Sequence, residues 1–137
     1  MVGFKVKFYW YQIGSASFLH SFFSTVAYHL EKKEWGNRFP IIMKELYQGN
    51  MVFEHADAAL SELNLIKYEL KRLATDKVVW DIDDLSKQPP WGNKINQDIT
   101  DMSNYYITSD GKDFIEVFYN AIKMAKKTHC NLEITSI

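Results

Sequence analysis

Cysteine is almost missing from this chain: Cys130 stands alone. One thiol excludes an internal disulfide framework and fits a reducing compartment. Long apolar runs are missing too, and none approaches the roughly 20 residues that cross a bilayer as a helix. Near the N-terminus, Lys5 and Lys7 interrupt what would be the apolar region of a signal peptide. These absences read together as a soluble, cytoplasmic protein with no membrane partner. A surplus of either charge is also lacking. The 16 Lys and Arg face 17 Asp and Glu, for a formal net charge of −1, which argues against direct binding of nucleic acid or of an anionic membrane. There is no Gly-rich phosphate loop and no G-x-S-x-G elbow. Repeats, low-complexity runs and linkers are absent, so residues 1–137 read as one domain, large enough to bury a sizeable core.

Aromatic residues, in contrast, are plentiful at 15% of the chain. Some must be core, while Tyr and Trp in loops are common in recognition surfaces. Residues 2 to 13 alternate, with Phe4, Val6, Phe8 and Trp10 on one side and Lys5, Lys7, Tyr9 and Tyr11 on the other. That period predicts one half-buried strand, broken at Gly14. A helix follows from about Ser17 to Glu34, capped by Ser15 or Ser17, with an apolar stripe through Leu19, Phe22 or Phe23, Val26 and Leu30. Its last turn, Glu31 to Glu34, reads as solvated, and Gly36 as its left-handed stop. Pro40 opens a short helix, Ile41 to Tyr47, ended by Gly49-Asn50. A third helix spans about Glu54 to Ala74, with Ala59 or Leu60, Leu63, Ile66, Leu70 and Leu73 inward.

The stretch from Val78 to Asn93 reads as the organising connection between the two halves. Val78, Trp80 and Ile82 share a period-two face and predict a second strand. Pro89 and Pro90 forbid helix and central strand, and Trp91-Gly92-Asn93 forms a turn carrying a large aromatic. Tyr105 to Thr108 reads as a third strand, Asp113 to Lys127 as the last helix, and Leu132 with Ile134 as the closing strand. The order predicts a single α+β domain: a small, mostly antiparallel sheet of about four strands with helices packed on one face.

Charge is unevenly placed. Eight aspartates and four lysines lie between Asp76 and Asp113, and only Asp57 lies outside that window. Asp builds turns and caps helices, and this is the loop-rich part of the chain. The functional alternative is an acidic face aimed at a basic partner. On that reading the candidate partner-binding residues are Asp81, Asp83, Asp84, Trp91 and Asn93. Catalytic, metal and cofactor sites are not expected. Asp81, Asp83 and Asp84 lack the spacing and glycine of an EF-hand. His20 and His29, nine residues apart, are expected to face different ways on a regular helix. His129 and Cys130 are adjacent and diverge if extended.

Four segments carry a family resemblance: FYWYQIGSASFLHSFFSTVAYHL, VVWDIDD, PPWGN and ITDMSNYYITSDG. Together they resemble the immunity protein 70 family, one of the immunity families of bacterial polymorphic toxin systems. The resemblance implies a small cytoplasmic protein that binds the C-terminal domain of a cognate toxin and blocks it, with no active site or cofactor of its own. Many such toxins are nucleases with basic clefts, which an acidic loop face could occupy. The competing expectation is a small enzyme or ligand-binding domain whose pocket is lined by Tyr9, Tyr11, Trp91, Tyr105 and Tyr106. A deep pocket with convergent polar groups would favour it.

Overall fold

The alternation in residues 2–13 belongs to two strands. In the computed structural model, which describes residues 1–137, β1 (Val2–Val6) and β2 (Tyr9–Gly14) form an antiparallel hairpin. Lys7 and Phe8 make the turn, with Lys7 at φ 56°. Such turns usually announce themselves with Asn or Gly, which tolerate positive φ; Lys-Phe gives no such signal. The two-residue loop pairs Val6 with Tyr9, which reverses the expected parity. Tyr11 therefore packs against the core beside Phe4, while Trp10 lies across Gly3 on the outer face. A Cβ at Gly3 would stand 2.5 Å from the indole.

Strands β3 (Asn50–Met51) and β4 (Leu132–Ser136) complete an antiparallel sheet in the order β2-β1-β4-β3. The fold is α+β as expected, but two of the strands differ. Neither Val78–Ile82 nor Tyr105–Thr108 joins the sheet, and Ile107 makes only an isolated bridge to Asp113. The two-residue β3 is too short to leave a periodic signal.

The long helices are α1 (Ala16–Thr25), α2 (Ala56–Leu70) and α3 (Phe114–Thr128). Ser15 caps α1 by accepting from the Phe18 N–H at 3.1 Å. A π turn, Val26–Leu30, prolongs α1. Gly36, at φ 80°, reverses the chain as expected. Glu31 is not solvated, however. It is 3% exposed, and its carboxylate accepts from the N–H groups of Gly36, Arg38 and Phe39 at 2.9–3.1 Å. A buried charge needs that many donors to offset desolvation. Short helical turns at Ile41–Glu45 and Leu46–Gln48 follow, and Gly49 at φ 112° ends them.

The core is aromatic at its centre. Phe118 of α3 lies 4.8 Å from the Phe4 ring of β1, and Phe22 of α1 lies 4.9 Å from Phe114. Phe4, Phe22, Phe114 and Phe118 are each fully buried. Helix α1 is enclosed along most of its length, with one side toward these rings and the other toward the connection that follows α2. Since Phe23 and Phe118 are 1% and 0% exposed, Phe23→Ala and Phe118→Ala should each destabilise the fold by about 3–5 kcal/mol. The urea midpoint reads this out, and an unchanged midpoint would show that the truncated ring does not belong to the core.

Candidate functional site

The segment expected as a strand finds its hydrogen bonds on a helix instead. Along α1 and its π turn, His20, Ser21, Ser24, Thr25 and His29 form a polar stripe. It is zipped to Lys77–Ile82. His29 Nε2 meets the Lys77 carbonyl at 2.7 Å. Thr25 Oγ1 accepts from the Val79 N–H at 3.0 Å, and Ser21 donates to the Val79 carbonyl at 3.0 Å. Ser24 Oγ accepts from the Ile82 N–H at 3.1 Å, and His20 Nε2 lies 3.2 Å from Asp81 Oδ1. Both histidines thus reach one segment from the two edges of the stripe, although nine positions on a regular helix set them on different faces. The π turn rotates less per residue, which narrows the angle between them, and the segment runs along the helix from His29 to His20. Consecutive Val79 and Trp80 are both buried, unlike a strand with one wet face.

The Tyr106 hydroxyl closes the network from the far side, 2.9 Å from Ser21 Oγ and 2.8 Å from Thr25 Oγ1. Tyr106 is 2% exposed. Burial holds its phenol far above the usual tyrosine range, against the pull of Ser21 and Thr25.

On this base the acidic connection is a succession of tight turns. The carbonyls of Asp81, Asp84, Pro89 and Trp91 each accept from the N–H three residues on, at 2.9–3.1 Å. Asp81 Oδ1 accepts from the Asp83 N–H at 2.9 Å, and Lys87 Nζ lies 3.4 Å from Asp81 Oδ2. The Asp83 N–H, helped by His20 and Lys87, holds the Asp81 carboxyl below the usual carboxylate range. Asp84 Oδ1 accepts from the Ser86 hydroxyl at 2.6 Å and from its N–H at 3.1 Å, which lowers the Asp84 carboxyl likewise. Asp101 and Asp110 also accept from neighbouring hydroxyls, those of Ser103 and Thr108. Much of the aspartate concentration is therefore turn chemistry.

What remains for a partner is narrower than the five candidates. Asp83 has a side chain 86% exposed and reaches only toward His20, at 4.0 Å. Asp84 and Asn93 are exposed, and Asp81 is half-buried. Trp91, the large aromatic of the turn, is half-buried. Its ring meets the Trp80 ring edge-on at 5.4 Å, and its N–H donates to the Tyr105 hydroxyl at 2.8 Å. Two prolines did not lift it off the surface, because Trp80 and Tyr105 supply a bed for it. Trp80 is 9% exposed, the buried partner of the pair.

His20, Asp81 and Asp83 bring three metal-capable atoms within 4.8 Å of one another. The sequence reading missed this grouping because it considered the aspartates without a residue 61 positions earlier. Asp81 is already engaged by Lys87 and by the Asp83 N–H. The five aromatics of the pocket alternative do not assemble. Trp91 and Tyr105 line an open apolar recess of about 320 Å3, whereas Tyr106 is buried and Tyr9 and Tyr11 belong to β2. The polar stripe was also missed, although hydroxyls and imidazoles at 20, 21, 24, 25 and 29 recur at near-helical spacing and could have disclosed it.

No helix is long and apolar enough to cross a membrane. Among protein families, the model described as Immunity protein 70 matches residues 4–134. Neither the curated proteins nor the solved structures contain a match.

Thr25→Val keeps the shape of the side chain but leaves the Val79 N–H without its acceptor, and should cost about 1–3 kcal/mol, the penalty for an orphaned buried donor. Faster amide exchange at Val79 is the local readout, and unaltered exchange would show that Thr25 does not hold the segment. Tyr106 gives a pH signature. Its folded-state value is raised above the unfolded value of about 10, so its contribution is complete below pH 10 and is lost as pH rises beyond it. Urea midpoints should fall more steeply above pH 10 for the wild type than for Tyr106→Phe, and parallel curves would contradict the buried phenol.

Proposed function

The chain belongs to the immunity protein 70 family, and from that premise we propose that it neutralises a cognate bacterial toxin by binding the toxin's C-terminal domain in the cytoplasm. The family match over residues 4–134 is the observation that carries the reading. Inhibition by contact needs a surface and no chemistry of its own. We place that surface on the acidic connection, where Asp83, Asp84 and Asn93 present exposed side chains while Asp81 and Trp91 hold the loop in shape and offer their exposed edges.

A basic cleft, such as that of a nuclease, is the complementary target. Exposed carboxylates contribute little holding energy, about 0–1 kcal/mol for an exposed pair. Their larger effect is on encounter, because a field of one sign raises the association rate and makes it sensitive to salt. The toxin domain encoded beside the chain's gene is the partner to test, and cells producing that domain should survive only when the chain is co-expressed. In surface plasmon resonance, Asp83→Lys combined with Asp84→Lys should slow association and flatten its salt dependence, with a smaller effect on dissociation. Killing that proceeds despite co-expression would refute neutralisation. Unchanged association by the folded double variant would remove the acidic connection from the interface.

A further inference from the structure

Resting on that functional reading, we infer that the contact is anchored not on Trp91 but in a cleft beside the acidic connection, with Tyr47 as its aromatic centre, and that its occupant is a protein segment presenting a Lys or Arg next to an apolar side chain. Two adjoining hollows share His20 and Tyr47. One, of about 360 Å3, is largely apolar and runs past Leu19 and Phe23 to Val2 and Ile134 at the sheet. The other, of about 430 Å3, runs past Trp35 and Met43 to Ile82 and Asp83. The cleft therefore joins an apolar floor to the exposed Asp83 carboxylate.

Tyr47 has the physical character of a binding anchor. It is 41% exposed yet not free to swing. Its ring packs edge-on against Phe23 at 5.0 Å, where Phe23 is itself core, and against Trp35 at 4.8 Å. The Trp35 indole is fixed in turn by its N–H to the Met43 carbonyl. A partner would order few rotamers on contact, which is where much binding energy is otherwise lost. Buried aromatic anchors dominate many interfaces. The Tyr47 hydroxyl makes no hydrogen bond within the chain, whereas the Trp91 indole N–H is already committed to Tyr105.

Charge specifies the occupant. Asp83 lines one end of the cleft, and Asp81 stands next to it on His20, partly offset by Lys87 on Asp81 and by Lys44 in the same lining. Of Asp81, Asp83 and Asp84, Asp83 has the carboxylate least engaged by the chain itself. A cationic side chain can reach Asp83 while its apolar neighbour lies on Tyr47 and Phe23. The groove between α2 and α3 has the opposite character: Lys67, Lys71 and Lys123 surround it, and Tyr68 is 62% exposed on its rim without a packed partner ring. It serves as the internal control.

The experiment uses the full chain and the catalytically silenced C-terminal domain of the neighbouring toxin. Tyr47→Ala should weaken binding at least about 30-fold, the effect of a hot spot, Tyr47→Phe only a few-fold, and Tyr68→Ala not at all. Because Tyr47→Ala could also loosen the Phe23–Trp35 packing, a photo-crosslinking phenylalanine analogue placed at position 47 gives a second reading. It should capture a toxin peptide containing Lys or Arg, and the same analogue at position 68 should capture none. Wild-type affinity in Tyr47→Ala, or capture from position 68 instead of 47, would overturn the cleft while leaving neutralisation intact. Absence of binding by the wild type itself would defeat the functional reading and the cleft together.

Discussion

The hydrogen-bonded node of Ser21, Thr25, Tyr106 and the Val79 backbone is the constraint on which the outer half of the molecule depends. It ties three distant pieces of chain into one buried spot: helix α1, the connection after α2, and the loop before α3. Three hydroxyls have three protons, and they face four hydroxyl contacts. All three protons can be used if Tyr106 donates to Ser21, Ser21 to Val79, and Thr25 to Tyr106. The longest contact, Thr25 to the Val79 carbonyl at 3.2 Å, is then the one left without a proton. Such a network stabilises only when its members are satisfied together. Apolar residues at 21 and 25 would give a helix as well buried, but the Val79 N–H and carbonyl would lose their partners.

That node explains why the acidic connection needs no strand. A strand satisfies its backbone through a neighbour's backbone, whereas Lys77–Ile82 uses side chains on α1. From a sequence, the two look alike: β-favouring residues in an extended run. Much of the fold was nevertheless legible. The amphipathic stripes of α2 and α3 lie at the expected positions, and Ser15, Gly36 and Gly49 mark ends that the structure keeps. What escaped depends on partners far along the chain. The hairpin at Lys7-Phe8 has no turn-forming residue to announce it. Glu31 is charged and sits among lysines, and nothing local tells that the N–H groups at 36, 38 and 39 will fold over it. The aspartate concentration was legible as composition, but only geometry separates the carboxylates that build turns from Asp83, which does not.

This separation matters for how a small acidic surface acts. Asp81 and Asp84 spend their acceptor capacity on the Asp83 and Ser86 N–H groups. They remain ionised, and both are held below the usual carboxylate range, so their field persists at any physiological pH. A carboxylate can serve structure and steering at once, because a local hydrogen bond fixes its position without cancelling its charge. Neutralisation is a separate matter and falls mainly to Lys87. The exposed carboxylates thus present a negative field whose geometry is already fixed by the fold.

Rigidity reaches that surface from two directions. From beneath, α1 pins Val79, Asp81 and Ile82. Within the loop, successive turns from Asp81 to Lys94 close on their own carbonyls. Pro89 is itself buried, so packing adds to proline's own stiffness there. The loop's conformational entropy is therefore already lost on folding. The side chains of Asp83, Leu85 and Asn93 are exposed and take no part in these hydrogen bonds. Their identity can change without disturbing the backbone that displays them. A scaffold of this kind separates the few exposed side chains from the hydroxyl stripe of α1, which fixes the backbone that displays them.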